Sequence, residues 1–459
     1  MFMQRIFTEG LAQASFVVAS DSTREAVVID PRRDVEVYLD VAAAHDLTIK
    51  HIFETHIHAD YASGARELAA RTGATIYASA VGGSEFEHHP VNDGDVLEVG
   101  ELTFEVLLTP GHTPEHICVL VHDATNADEP PTMFSGDMLF VGSVGRPDLL
   151  GEEQTRTLAT ALYHTIHEKM MALDDSIVVY PGHGAGSACG KAIGNDPSTT
   201  MGQEKRFNFA FQPATEEQFV TMILDGLPEP PPYFPVMKQL NKRGPEILGG
   251  IPSVDALDID ALRSVQQSGA ATLLDVRPAE RFGEAFLAGS LNIGLGPSLP
   301  NWAGWAVSYD QPIVLVVADA ADVEEAVTWL IRIGLDNVQG YVVADPDAWR
   351  AAGLEVDVIE QLDPRTAQAK LAAGELQILD VRNRDEWDGG HVADAHNIPV
   401  GPLVRGEDGL DRDQPVAVMC AAGYRSSLGA SALKQRGYDK VINVVGGMDA
   451  WRAAGLPVE

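Results

Sequence analysis

Through the first 210 residues, short apolar runs alternate with stretches of helical periodicity. EAVVID (25–30), IKHIFETH (49–56), LTFEVLLTP (102–110) and HICVLVHD (116–123) have the length and β-branched content of strands. VEVYLDVAAAHD (35–46) has the apolar spacing of an amphipathic helix. Such alternation predicts a mixed α/β domain over residues 1–226. Residues 227–252, LPEPPPYFPVMKQLNKRGPEILGGIP, break the pattern. Prolines there block helix propagation and glycines allow tight turns, so the segment is expected to be a connector, semi-rigid and extended along the first domain.

The remaining residues contain a repeat. LLDVRPAERF matches ILDVRNRDEW with Asp275 and Asp380 105 positions apart. DQPIVLVV matches DQPVAVMC, Asp310 to Asp413, at 103, and AWRAAGL recurs, Trp349 to Trp451, at 102. Three matches at nearly one spacing predict one fold present twice, over 253–356 and 357–459. Each copy reads strand, helix, strand, helix, which implies a small parallel sheet with flanking helices.

Composition limits the function classes. Apolar content of 45% is enough for several buried cores, and a net charge of −35 argues against nucleic acid or an anionic membrane as partner. No run of 18 apolar residues is present, and the N-terminus lacks a basic region followed by an apolar one. Three scattered cysteines, Cys118, Cys189 and Cys420, argue against a disulfide framework and for a reducing, cytoplasmic setting. Self-association into a homo-oligomer is left open.

In the last copy, PVAVM runs into CAAGYRSS. Cys420 therefore ends a strand, and a tight loop leads into a helix starting near Ser426. Backbone N–H groups and Arg425 would surround the sulfur, which favours thiolate, the nucleophilic form. Cysteine phosphatases use a loop one residue longer, whereas this tighter one suits a single added sulfur atom. D-V-R…E-W…G-H-V…N-I-P followed by C-A-A-G-Y-R-S resembles a rhodanese domain. The resemblance implies sulfane-sulfur transfer through a Cys420 persulfide, with Arg425 and Ser426 in the catalytic loop. In the preceding copy the cysteine position falls on Val317 and the loop reads ADAADVE, so that copy resembles a rhodanese without its nucleophile.

THIHADYASG places His56, His58 and Asp60 directly after a strand; His112, Asp137 and His183 also follow apolar runs beside turns. His and Asp collected on loops at one sheet edge are how metal sites are built. His45, His88, His89 and His164 lack that context, and Cys118 lies within an apolar run. The set resembles the metallo-β-lactamase superfamily, implying an αββα sandwich. Two-metal members have His where this chain has Tyr61, and a phenol is a weak ligand for hard divalent ions. One metal is expected. Two imidazoles and one carboxylate, His56, His112 and Asp137, suit Fe(II) and also accept Zn(II).

GDMLFVGSVGRPDL and PGHGAGSACGK resemble the persulfide dioxygenase branch. That resemblance implies His56, His112 and Asp137 as ligands of one Fe(II) per chain. His58, Asp60, Tyr61 and His183 would then form a second sphere or a vestigial second site. Arg146 and Lys191 are candidates for holding anionic groups of a thiol carrier. Cys189, six residues after His183, is either a sulfur acceptor near the pocket or a small loop residue. The expected function is oxidation of a low-molecular-weight thiol persulfide by O2 to sulfite, with sulfane sulfur moved among persulfide, sulfite and thiosulfate at Cys420. The rivals are a Zn(II) thiolester hydrolase similar to glyoxalase II and a non-catalytic sulfane-sulfur carrier or sensor.

Overall fold

The computed structural model describes every residue except 127, 214 and 408. The chain divides into two units, Met1–Ile251 with Ile331–Gly334, and Pro252–Leu330 with Leu335–Glu459.

Among its described residues the first unit has two six-stranded sheets. In the first lie β1 (Phe2–Thr8), β2 (Gln13–Ala19), β3 (Glu25–Ile29), β4 (Thr48–Phe53), β5 (Thr75–Ser79) and β6 (His89–Val91), in that spatial order. β1 to β3 pair antiparallel and β3 to β6 parallel. The second holds β7 (Val96–Val99), β8 (Leu102–Leu108), β9 (Ile117–Asp123) and β10 (Thr132–Gly136), followed by Val178–Pro181 and Thr199–Thr200.

Period-two alternation decides the layers. Phe16 and Val18 of β2 meet Phe104, Val119 and Phe134 of the other sheet in a core between the two. Val17 and Ala19 point the opposite way, against Tyr38 and Val41 of α1 (Glu36–Ala44) and Leu68 of α2 (Ala65–Thr72). On the far face, Cys118, Leu120 and Met133 pack against Ala159 and Leu162 of α3 (Glu152–His164), Met201 of α4 (Met201–Phe207) and Phe219 of α5 (Glu216–Leu224). The result is the αββα sandwich expected from the sequence. Its strand ends deliver His56, His112, Asp137 and His183 to one region.

The connector differs from its expectation. Within 227–252, Phe234–Arg243 forms a helix, α6, with proline in its first turn. The reason is positional: at a helix start the missing N–H has no partner to lose. Tyr233, Phe234 and Met237 are buried. The segment beyond α6 does run along the first unit. Arg66 donates to the carbonyls of Gly244 and Pro245, and Leu248 N–H donates to Glu67.

The second unit holds two parallel sheets with corresponding strand order. One sheet orders Leu291–Asn292, Thr272–Asp275, Ile313–Val317 and Val338–Val343, all parallel. The other orders Glu360–Leu362, Val441–Val444, Val416–Met419, Gln377–Asp380 and His396–Asn397, again all parallel. The correspondence reaches side chains. Arg277 forks onto Asp275 as Arg382 does onto Asp380. Asn292 donates to the carbonyls of 275 and 277, and Asn397 to those of 380 and 382.

The copies are not separate bodies, because they share polar contacts that neither satisfies alone. Tyr424 OH donates to Gly294 O at 2.7 Å, Ser427 donates to Asn292, and Asn292 N–H donates to Ser431 Oγ at 3.0 Å. The boundary expected between 356 and 357 therefore separates two sheets inside one unit.

Candidate functional site

β4 ends at Phe53 and the chain turns at Thr55. Asp30, just past β3, accepts from Thr55 N–H and from its hydroxyl, both at 2.7 Å. With its proton spent, Thr55 Oγ1 accepts from His56 Nδ1 at 2.9 Å. His56 is thereby held with Nε2 bare. His112 Nδ1 donates to Arg146 O at 2.9 Å, which leaves its Nε2 bare as well. Such outer hydrogen bonds fix the tautomer a metal ligand needs. Burial pushes both imidazoles well below their usual pKa, so both carry a free lone pair.

Asp137 completes the set. Its N–H donates to His116 Nε2 at 3.0 Å and its Oδ1 accepts from His183 Nδ1 at 2.7 Å. Its Oδ2 has no partner; neither do His56 Nε2 and His112 Nε2, and all three atoms are buried. They converge, with Asp137 Oδ2 at 3.8 Å from His56 Nε2 and 3.6 Å from His112 Nε2. Three buried acceptors without a donor repel one another, and a cation among them removes that repulsion. The donor set therefore fits a divalent metal. Gly145 permits the tight packing, since a Cβ there would lie 1.9 Å from Asp137 O.

The remaining motif residues are engaged elsewhere. His183 bridges Asp137 Oδ1 and Asp60 Oδ2, each at 2.7 Å. Burial alone would lower its pKa, but the two carboxylates raise it well above the usual value, so it is an imidazolium. His58 turns to Asp30 at 3.2 Å; burial opposes its charge, yet Asp30 and Glu54 raise it to about 9. Tyr61 is wholly buried, its hydroxyl donating to Asp30 O at 3.3 Å, and burial raises its pKa well above the usual value. It is a core phenol, not a ligand. Asp60, His183 and Cys189 do lie together, but both nitrogens of His183 are held by carboxylates.

Two family models match the chain. One, described as the metallo-beta-lactamase superfamily, covers residues 8–183; the other, a rhodanese-like domain, covers 363–454. A hydroxyacylglutathione hydrolase of Polaromonas sp. (strain JS666 / ATCC BAA-500) is 31% identical over 257 residues, half of this chain and 93% of that protein.

The chain belongs to the metallo-β-lactamase superfamily.

It also carries a C-terminal rhodanese domain. The mitochondrial persulfide dioxygenase ETHE1 of Bos taurus is 28% identical over 189 residues, 40% of this chain and 68% of that protein. A metallo-β-lactamase structure from Staphylococcus aureus subsp. aureus COL superposes with a TM-score of 0.67 at 35% identity, covering 75% of this chain and 99% of that one.

Three expectations about this metallo-β-lactamase pocket need correction or refinement. Arg146 is not open to a substrate. It is 2% exposed and forks onto Asp148 with two bonds of 2.7 Å, while also donating to Ala188 O and Pro228 O. What it contributes is the carbonyl that orients His112. Lys191 donates to Asp225 O at 2.8 Å. Cys189 does reach the pocket, but burial and then Asp60 and Asp137 raise its pKa well above the usual value, so it stays a thiol.

The sequence reading passed over Asp30, Lys238 and Asn241. Asp30 carried a signal, as the terminal residue of the EAVVID run. Asn241 carried none. Its Nδ2 donates to His58 O and Tyr61 O at 2.9 and 2.7 Å, and its Oδ1 accepts from Ser63 N–H at 2.8 Å. Asn241→Ala would orphan buried backbone groups and is expected to cost about 2–4 kcal/mol. Denaturant unfolding of the metal-free protein checks this; a wild-type midpoint would show that α6 does not pin the loop.

In the rhodanese domain, Cys420 follows Val416–Met419 and is 1% exposed. Its Sγ accepts from Gly423 N–H at 3.1 Å, and Gly423 has φ 116°, a conformation that glycine alone takes at no cost. Arg425 forks onto Glu386 at 2.6 and 2.7 Å, so its charge is held at the loop by a partner the sequence reading quoted but did not assign. Ser426 donates to Gly423 O and Asn443 Oδ1, at 2.9 and 2.8 Å. Its hydroxyl braces the loop and is not aimed at the thiol.

Among the described residues no helix is long and apolar enough to cross a membrane.

Proposed function

We propose that the first unit oxidises a low-molecular-weight thiol persulfide with O2, and that Cys420 carries sulfane sulfur. The observation supporting this most is the trio of unpartnered acceptors, His56 Nε2, His112 Nε2 and Asp137 Oδ2, beside a second position already filled by the His183 imidazolium. Two imidazoles and one carboxylate are the ligand set of mononuclear non-haem iron. The similarity to a persulfide dioxygenase and the rhodanese domain on the same chain point to one sulfur pathway. Iron(II), when bound, supplies redox chemistry with O2 and open positions for ligands.

The overall reaction consumes one persulfide, one O2 and one water. It yields the thiol, sulfite and two protons, with four electrons passing from sulfur to O2. His56, His112 and Asp137 would hold the metal, and His183, bonded to Asp137 Oδ1, leaves Oδ2 as the carboxylate oxygen free to do so. At the other site the Cys420 thiolate attacks a sulfane sulfur, forming one S–S bond while the bond to sulfite breaks. The Gly423 N–H and Arg425 stabilise negative charge there.

A hydrolase reading is favoured by the relationship to hydroxyacylglutathione hydrolase. Metal analysis with oxygen uptake on several persulfides decides between the two. One iron per chain and persulfide-dependent O2 consumption are expected. Two zinc ions per chain with thiolester hydrolysis and no iron-dependent activity would refute the dioxygenase reading.

The middle repeat is proposed to carry no sulfur. Val317 occupies the cysteine position and is fully buried. Its loop spends backbone N–H groups on its own carboxylates: Asp319 N–H donates to Asp322, and Ala321 N–H to Asp319. The anion cradle of the last repeat is thus already filled by side chains. In a Val317→Cys, Cys420→Ser double variant incubated with thiosulfate, mass spectrometry is expected to find no sulfur added at 317. A stoichiometric persulfide there would mean the loop remains competent.

A further inference from the structure

Lys238 lies on α6, and its side chain is sequestered, the residue being 9% exposed. The same helix face is fixed against the metal-bearing loop. Tyr233 OH donates to Asp60 O at 3.0 Å, and Asn241, three residues past Lys238, binds the carbonyls of His58 and Tyr61. Among the described residues no carboxylate lies within 4.0 Å of the Lys238 ammonium and no acceptor within 3.5 Å. Burial lowers its pKa, and the carboxylates that oppose this are Glu115, Asp137 and Asp60. The Tyr233 and Asn241 bonds on either side of it set Lys238 beside the loop that carries His56, His58 and Asp60.

An ammonium that makes no ion pair or hydrogen bond with the chain is left to solvent or to a ligand, and the Lys238 Nζ is not among the fully buried polar atoms, so a small anion can reach it. Glu115, foremost among the opposing charges, accepts from Ile57 N–H at 2.9 Å. Arg146 and Lys191, the cations the sequence offered for this task, are bound to Asp148 and to Asp225 O. A divalent metal on His56, His112 and Asp137 would add positive charge close to the loop that α6 packs against, so a small anion there would meet both the metal and the Lys238 ammonium.

We propose that Lys238 is the anion-binding residue of the metal pocket and takes a small sulfur anion, the persulfide on entry and sulfite on exit. This rests on the substrate class proposed above. Lys238 acts as a positioning residue, donating N–H bonds to sulfur or its oxygens, with no covalent step.

The test uses the full-length iron-loaded chain, with sulfite as the probe, followed by calorimetry. Lys238→Met is expected to keep its iron and its thermal midpoint while weakening sulfite binding by about 30-fold or more, as loss of one partner of a buried charge pair does. Lys238→Arg, which keeps the charge, is expected to restore most of the affinity. Equal sulfite affinity in wild type and Lys238→Met, or no binding to wild type, would overturn the assignment. Should Lys238→Met not fold, Lys238→Gln against Lys238→Arg gives the same comparison. Oxygen uptake with a persulfide separates this from the parent reading. Sulfite binding through Lys238 without O2 consumption refutes the dioxygenase and leaves the anion site; O2 consumption with unchanged sulfite binding in the variant does the reverse.

Discussion

Replacing His112 by alanine is expected to empty the metal site and stop oxygen uptake, lowering metal affinity by at least about 100-fold. His112 supplies one of three convergent acceptors, and its ring is set by the bond to Arg146 O at 2.9 Å. Without it, His56 and Asp137 remain as two donors 3.8 Å apart, and no neighbour can replace the third. His116 is committed to Asp137 N–H and Thr109, and His183 to two carboxylates. The fold should survive, because the core between the sheets does not include His112. Metal content by mass spectrometry and an oxygen electrode read the outcome. A variant that keeps iron and oxygen uptake would mean that the ligand trio is misassigned.

Cys420→Ser should abolish thiosulfate sulfurtransfer, a loss on the order of 10³-fold or more, as removal of a nucleophile gives elsewhere. The hydroxyl fits the same space and can accept from Gly423 N–H, so the loop should keep its shape. Oxygen consumption with a persulfide should stay near wild type, since none of the metal-pocket residues belongs to the second unit. If Cys420→Ser reduces O2 uptake as severely as His112→Ala, the two chemistries are not separable and the two-site account is wrong.

The sequence by itself determined the layers and the position of each candidate ligand. An apolar run must stop where the strand leaves the sheet, and His56, Asp137 and Cys420 stand at such stops; His112 lies in the turn between two such strands. The repeat was equally legible, since Asp275 with Arg277 and Asp380 with Arg382 recur because each copy needs the same buried pair. Those features are written locally, within a few residues.

Only the tertiary structure decided which partner satisfies each buried charge. His183 is closed by Asp60 from 123 positions away, and Tyr233 reaches the carbonyl of Asp60 across 173. Arg146 looked like a free cation until Asp148 and two carbonyls were seen to take its donors. Lys238 read as part of a semi-rigid, extended connector, and only the fold shows that its segment is a helix, α6, bonded to the loop that carries His58 and Asp60. A buried charge is stable only with a counter-charge or a ligand. Nothing in the local pattern names that counter-charge when the chain supplies it from the far side of the fold, or when the chain does not supply it at all.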